Sequence, residues 1–143
     1  ARAIAMVAGL SAGVAAKYTS TVWRPVTAIR NAEGDARGAG WMPFIETPRH
    51  PEYPGAHCIV SASLGAVLAA ELGQGPTPVL TSTSPTAGNA TRTWKTVDDF
   101  IQEVAVARIY DGVHYRNSTE VGSSMGRQIG ALAAQRLPRA TTR

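Results

Sequence analysis

Cysteine, aromatic residues and long apolar runs are all scarce in this chain of 143 residues. The single cysteine, Cys58, excludes an intrachain disulfide and leaves the redox compartment open; we expect it to be a small buried residue. The 14 basic residues exceed the 10 acidic ones, but they are scattered and form no basic run. This distribution argues against nucleic acid as a partner and favours a small anion, provided that several charges converge in space.

No apolar stretch reaches the roughly 20 residues that a membrane-spanning helix needs. Residues 2–16 resemble the apolar core of a signal peptide, but we interpret them as part of a structural helix. We therefore expect a soluble protein, with a location that the sequence leaves open and that is compatible with secretion or the periplasm. Since an apolar helical pattern starts directly at Ala1, we interpret the chain as a processed product or the C-terminal part of a longer one.

The length and the apolar content predict one domain, residues 1–143. The pattern predicts an all-α helical bundle with long connecting loops and a short hairpin near Val79 and Leu80. Thr96 is expected to cap the third helix, and Ser118 or Thr119 the last. The predicted helices are residues 2–23, stopped by Pro25, residues 57–73, residues 97–110, and residues 120–137, closed by Pro138.

Glycines recur four residues apart in the last helix, at Gly122, Gly126 and Gly130. Such a smooth stripe predicts close helix packing, either inside the bundle or between subunits of a homo-oligomer. A ligand-binding role is the weaker interpretation.

Three basic side chains are candidates for anion binding. Lys17 and Arg24 are seven residues apart, so both would leave the first helix on one face, about 10 Å apart along its axis. Arg108 shares a helix face with Ile101 and Val104 and should therefore be buried, where it needs an anionic partner. The alternatives are a solvated charged stripe for the first two and a structural ion pair for Arg108.

Two histidines lie near this set. His114 follows the Asp111-Gly112 pair, which places it in a turn at the end of the bundle. His57 stands at a helix start behind Gly55 and Ala56, whose small size would let an anion approach the free backbone N–H groups of the first turn. A capping or packing role for His57 is the alternative. Together these groups suit an oxyanion, with cationic donors for its oxygens and imidazoles for its central atom and for protons.

The order and spacing of these residues resemble a known signature. Lys17-x6-Arg24-Pro25, Pro54-Gly55-Ala56-His57 and Arg108-x5-His114 are similar to K-x6-R-P, P-S-G-H and S-R-x5-H-x3-D. That signature belongs to the type 2 phosphatidic acid phosphatase and vanadium-dependent haloperoxidase superfamily. The segments "WRPVTAIR", "TPRHPEYPGAHC" and "ARIYDGVHYR" resemble its haloperoxidase-like branch in particular.

The resemblance implies a helical bundle with an oxyanion site at one end. Vanadate would be the cofactor of a haloperoxidase, with His114 bound axially to its vanadium and His57 assisting the activation of hydrogen peroxide, which then oxidises halide. In a phosphatase that cleaves phosphomonoesters, no cofactor is needed, His114 would form a phosphohistidine and His57 would protonate the leaving alcohol. The oxygens would be held in both cases by Lys17, Arg24, Arg108 and the backbone N–H groups around Gly55 and Ala56.

The chain departs from the signature at several positions. Gly55 and Ala56 replace its serine and glycine, Ala107 replaces the serine before the arginine, and Ser118 replaces its final aspartate. We expect Asp111 or Glu120 to supply the missing carboxylate. His50 matches no signature position and is interpreted as loop scaffold. A non-catalytic phosphate-binding helical domain is therefore a third hypothesis.

Overall fold

The computed structural model describes residues 2–34 and 38–136, and this part of the chain is a helical bundle with one small hairpin. The all-α prediction is thereby confirmed. An antiparallel hairpin of β1 (Leu80–Thr83) and β2 (Thr91–Trp94) lies between the third and fourth helices, as the pattern near Leu80 predicted. The helices are α1 (Arg2–Ser20), α2 (Pro25–Arg30), α3 (Ala56–Leu72), α4 (Val97–Tyr110) and α5 (Arg116–Arg136).

Helix α3 is the centre of the bundle, and α1, α4 and α5 pack around it. Its contact with α5 is the most extensive, because the glycine stripe of α5 faces the backbone of α3. A Cβ atom on Gly122 would lie 2.6 Å from the Gly55 carbonyl oxygen, and Gly126 and Gly130 abut the carbonyl oxygens of Ile59 and Ser63. The stripe therefore serves close packing inside the bundle.

Helix α1 ends earlier than the sequence predicted. Thr21 adopts a left-handed backbone (φ 42°) after Ser20, and its N–H donates to the Lys17 carbonyl oxygen at 3.1 Å, which closes the helix three residues before Trp23. Pro25 does not stop α1; its preset φ suits the first position of α2, which it begins. Neither α1 nor another helix among the described residues combines the length and the apolar character needed to cross a membrane.

Helix α4 has the bounds that the sequence predicted, whereas α5 begins earlier. Thr96 accepts a hydrogen bond from the Asp99 N–H, and the Asp99 carboxylate accepts one from the Thr96 N–H, which forms a capping box for α4. Helix α5 starts at Arg116, and Ser118 lies in its first turn with its hydroxyl bonded elsewhere, so the predicted start at Glu120 was wrong. The predicted end at Leu137 and Pro138 lies outside the described residues.

A small apolar cluster stabilises the end of the bundle next to the hairpin. Ala62 of α3 packs with Val97 and Ile101 of α4, and Phe100 and Leu80 contact the cluster from its edge. Burial of such side chains is the main favourable term in folding. The opposite end of α3 is enclosed largely by polar and charged residues, and the candidate site lies there. Cys58, in the first turn of α3, is fully buried as expected.

Candidate functional site

Charged side chains from four separate segments are buried together around the N-terminal end of α3. Such burial is unusual, since charged residues are rarely buried unless they are paired. The segments are the last turn of α1, the turn before α2, the loop before α3, and the end of α4 with the turn that follows it. They contribute Lys17, Arg24, Glu52, Arg108 and His114, whose exposed fractions are 1%, 6%, 0%, 9% and 4%.

Lys17 is anchored to the loop before α3. Its Nζ donates to the carbonyl oxygens of Pro51 and Glu52, both at 2.9 Å. An ammonium group has three donors, so one remains for a further acceptor. Burial and the neighbouring charge of Arg24 lower the pKa of Lys17 from 10.5 to about 8, because both disfavour the protonated form.

Arg24 reaches the site from the turn before α2. The predicted common helix face with Lys17 was wrong, because α1 ends at Ser20 and Arg24 is the N-cap residue of α2 with an extended backbone. Its Nη1 donates to the Val113 carbonyl oxygen at 2.7 Å, and its Nε donates to that of His50 at 3.1 Å. The His50 ring also contacts Nη2 through Nδ1 at 3.1 Å, so His50 is a partner of Arg24 and more than loop scaffold.

His114 is held in one tautomer by its two partners. Its Nε2 lies 3.2 Å from Nη1 of Arg24, and its Nδ1 lies 2.6 Å from Oε1 of Glu52. A guanidinium only donates and a carboxylate only accepts, so Nδ1 carries the proton and Nε2 presents a lone pair. Burial lowers the pKa of His114, and the charge of Arg24 acts in the same direction, against the opposing hydrogen bond to Glu52.

Glu52 is the residue of this cluster that the sequence pattern did not predict. Its carboxylate accepts hydrogen bonds from His114 Nδ1, the Tyr115 N–H and the Ser118 hydroxyl. Burial alone would raise the pKa of Glu52, but these three donors outweigh it and lower the pKa, so the group is a carboxylate. The sequence did contain a signal for Glu52. Position 118 lacks the signature's aspartate, so another carboxylate was needed, and Glu52 lies in the loop that carries Gly55 and Ala56.

Neither acid proposed from the sequence contacts His114. Asp111 pairs with Arg108 instead, with 2.7 Å between Oδ2 and Nη1, and Glu120 is exposed on α5. The ion-pair interpretation of Arg108 is therefore confirmed for one of its nitrogens. Its Nε is buried and has no hydrogen-bond partner within the described residues. Because a buried donor left unpaired is costly, an acceptor at this position would stabilise the site.

The start of α3 supplies backbone donors. The Gly55 N–H donates to the Ser118 carbonyl oxygen at 3.0 Å and is therefore occupied, whereas the next two amides, those of Ala56 and His57, lie in the first turn without an intrahelical acceptor. A Cβ atom on Gly55 would lie 3.1 Å from that same oxygen and 3.3 Å from Cys58 Sγ. The close approach of α5 thus leaves little room for a side chain at position 55.

His57 stands at the solvent side of this cluster. It is exposed and borders a cavity of about 400 Å³, whose wall is mostly apolar and includes Leu10, Leu64 and Phe100. Partial removal of water from the ring and the nearby charge of Arg108 lower the pKa of His57. The ring is therefore neutral at neutral pH and able to accept a proton from a group in the cavity.

The donor set fits an oxyanion such as vanadate or phosphate. Lys17 and Arg108 each have a donor left over, the first turn of α3 offers amides at the positive end of its dipole, and Nε2 of His114 presents a lone pair. The unpaired Nε of Arg108 supports this fit, because an oxygen of the anion would supply the acceptor that this nitrogen lacks. A cation would be repelled by the same groups.

Comparison with solved structures identifies similar folds among bacterial enzymes. A structure described as the first bacterial vanadium-dependent iodoperoxidase aligns with a TM-score of 0.85 and 30% sequence identity, over 96% of this chain and 32% of that one. The apo form of a bacterial vanadium-dependent chloroperoxidase aligns with a TM-score of 0.77 and 20% identity, over 94% of this chain and 34% of the other. The chain thus spans about a third of the length of these structures.

Comparison with curated proteins gave no match. A family model described as the VCPO second helical-bundle domain matches residues 1–142. That match covers nearly the whole chain and agrees with the helical architecture and with the structural neighbours. The chain therefore belongs to the family of the VCPO second helical-bundle domain, in the haloperoxidase-like branch of its superfamily.

Proposed function

We propose that this chain carries the vanadate site of a vanadium-dependent haloperoxidase and that its reaction is the oxidation of halide by hydrogen peroxide. The observation that carries the proposal is the burial of Lys17, Arg24 and Arg108 in one region with His114, whose Nε2 faces Arg24. Three buried cations repel one another, so an anion among them is favourable. Family membership and the iodoperoxidase neighbour support the same reaction.

Each residue of the site has a distinct task in this proposal. Lys17, Arg108 and the amides of Ala56 and His57 would hold the oxygens of vanadate. Arg24 would join them by giving up its contact with Nε2 of His114, which is the nitrogen placed to bind vanadium. When bound, vanadate supplies the Lewis-acid chemistry that activates hydrogen peroxide toward halide.

His57 is the residue proposed to move protons. Its ring is neutral at neutral pH and borders the open cavity, so peroxide arriving from solvent could transfer a proton to it. His114 cannot take this part, because its Nδ1 proton is held by Glu52 and its Nε2 faces Arg24. The two histidines therefore have separate roles, one toward the anion and one toward the proton.

The proposal is tested by incubating the purified chain with orthovanadate and then supplying hydrogen peroxide with iodide, bromide or chloride. We expect triiodide to form from iodide, since the iodoperoxidase is the neighbour with 30% identity. His114→Ala should abolish the activity. Arg108→Met should lower it by about 100-fold, in the range found when one donor to a developing charge is removed.

Arg127→Met is the matched control, because Arg127 is an exposed arginine whose pair with Asp98 lies at the surface. It should retain the parental rate. Absence of halide oxidation from the vanadate-loaded parent, or equal rates for the parent and His114→Ala, would contradict the proposal.

A phosphatase is the second candidate, and one observation favours it. A neutral imidazole with an unprotonated Nε2 is also the form required of a nucleophile that becomes a phosphohistidine. Hydrolysis of p-nitrophenyl phosphate by the parent, lost in His114→Ala and inhibited by vanadate, would establish this activity in place of halide oxidation. Phosphate binding without turnover in either assay would leave the chain as a phosphate-binding domain.

A further inference from the structure

We propose that Glu52 is the positioning residue for His114 and that Ser118, at the place of the signature's aspartate, has become a donor to it. The inference rests on the proposed function, since it concerns how His114 is prepared to bind an oxyanion. The carboxylate would come from the loop before α3, whereas the signature's aspartate, four residues after the second histidine, would come from α5.

The contacts of Glu52 are concentrated on one short segment. All three of its donors lie between His114 and Ser118: the His114 ring at 2.6 Å, the Tyr115 N–H at 3.0 Å and the Ser118 hydroxyl at 2.5 Å. Both carboxylate oxygens are used, and the side chain is completely buried. Glu52 therefore orients the histidine and also ties the turn that carries the histidine to the first turn of α5.

The orientation has a definite chemical consequence. A carboxylate cannot donate, so the proton of the His114 ring is kept on Nδ1 and the lone pair on Nε2. Nε2 is the ring nitrogen that faces Arg24. Without Glu52, the ring could rotate or exchange tautomers, and a fraction of molecules would present an N–H group to the anion instead of a lone pair. Partners of this kind typically contribute about 10- to 100-fold to ligand affinity.

Glu52 is itself held by the anion-binding residues. Lys17 donates to the carbonyl oxygens of Pro51 and Glu52, and the Glu52 N–H donates to the Val22 carbonyl oxygen at 3.0 Å. Arg24 adds hydrogen bonds to the neighbouring carbonyl oxygens of His50 and Pro51. The loop is therefore fixed by two of the residues that would hold the anion, and these hydrogen bonds give a buried carboxylate a rigid support.

The test uses the vanadate-free chain, so that it reads the histidine and not the reaction. Long-range ¹H–¹⁵N correlation of the imidazole rings, assigned with His114→Ala, should show His114 of the parent with its proton on Nδ1. Glu52→Gln should give a mixture of tautomers. Phosphate affinity, measured by calorimetry, should fall by about 10- to 100-fold in this variant. Ser118→Ala, which leaves Glu52 in place, should produce a smaller loss in affinity.

The decisive comparison is rescue. In Glu52→Gln/Ser118→Asp, a carboxylate returns at the signature's position, and both the Nδ1–H tautomer and phosphate affinity should recover substantially. A role limited to packing would not be rescued in this way. A double variant that folds yet stays as defective as Glu52→Gln would overturn the proposal.

Two further outcomes keep the test decisive if Glu52→Gln fails to fold. An Nε2–H tautomer in the parent overturns the proposal without any variant. A phosphate affinity unchanged by Ser118→Ala, with the tautomer also unchanged, counts against the role of Ser118. Since none of these measurements needs vanadate or peroxide, absence of halide oxidation would contradict the proposed function and leave this test intact.

Discussion

At the scale of single residues, the site contains a lysine that loses its proton at a lower pH than an ordinary lysine. The pKa of Lys17 is about 8, and a bound anion would favour its protonated form. We therefore predict that phosphate affinity is nearly constant below about pH 7 to 8 on account of this group and falls as the pH rises through about 8. Calorimetric titration with phosphate at a series of pH values measures this dependence.

The control for this prediction is the other lysine of the chain. Lys95 is exposed, so Lys95→Met should keep the pH dependence, whereas Lys17→Met should bind weakly at every pH and lose the decline near pH 8. Stability should respond in the opposite direction: the unfolded chain holds this proton up to about 10.5, so the free energy of unfolding rises between about pH 8 and 10.5. An identical pH dependence in Lys17→Met and the parent would contradict the assignment.

The residues of the site were predictable from sequence to the extent that local pattern and signature spacing determined them. Lys17, Arg24, Arg108 and His114 do become buried together. Glu52 could not be paired with His114 by any local rule, because the two are 62 positions apart and the pairing depends on how the loop before α3 folds back. The geometry assumed for Arg24 failed for a related reason: its position depends on a left-handed residue, Thr21, that no propensity favours.

At the scale of secondary-structure elements, the packing of α5 on α3 should limit stability. A Cβ atom on Gly126 would collide with the Ile59 carbonyl oxygen and lie 2.7 Å from the Ala62 side chain. Alanine is the better helix former by about 1 kcal/mol, but the helices would have to separate. We predict that Gly126→Ala lowers the free energy of unfolding by about 1 to 3 kcal/mol, measured by urea denaturation.

Gly40 is the matched control for this substitution. It has no atom within 4 Å of an added Cβ and no positive φ, so Gly40→Ala should leave the free energy of unfolding unchanged or slightly higher. A Gly126→Ala variant as stable as Gly40→Ala would show that the two helices tolerate a wider separation.

The elements themselves were predicted best where local chemistry marks both ends. Helix α4 has a capping box at Thr96 and a turn at Asp111-Gly112, and its bounds agree with the structure at both ends. Helix α5 was placed four residues too late, because Ser118 looked like a cap although its hydroxyl bonds to Glu52 in the folded chain. A tertiary contact thus outweighed the local preference, and the sequence pattern contained no sign of it.

At the scale of the whole molecule, the buried cations connect anion binding to global stability. Burial, and then the charges of Arg24 and Arg108, lower the pKa of Lys17, and the three side chains are buried in the same region of the fold. An anion that binds only the folded chain stabilises all of it, by about 2.7 kcal/mol at a hundred times its dissociation constant. The effect should appear in any measure of global unfolding.

Cys58 provides such a measure, because it is the single thiol of the chain. It is fully buried, and burial raises its pKa to about 11, so the folded protein has almost no reactive thiolate and alkylation requires opening of the structure. We predict that iodoacetamide labels Cys58 slowly, and that phosphate at about a hundred times its dissociation constant slows labelling by about 100-fold.

Chloride at matched ionic strength should have little effect, and Arg108→Met should weaken the protection by phosphate. A labelling rate independent of phosphate would mean that the anion does not bind the folded chain, or that Cys58 becomes exposed by a local motion that leaves the site intact; calorimetry on the same sample distinguishes the two.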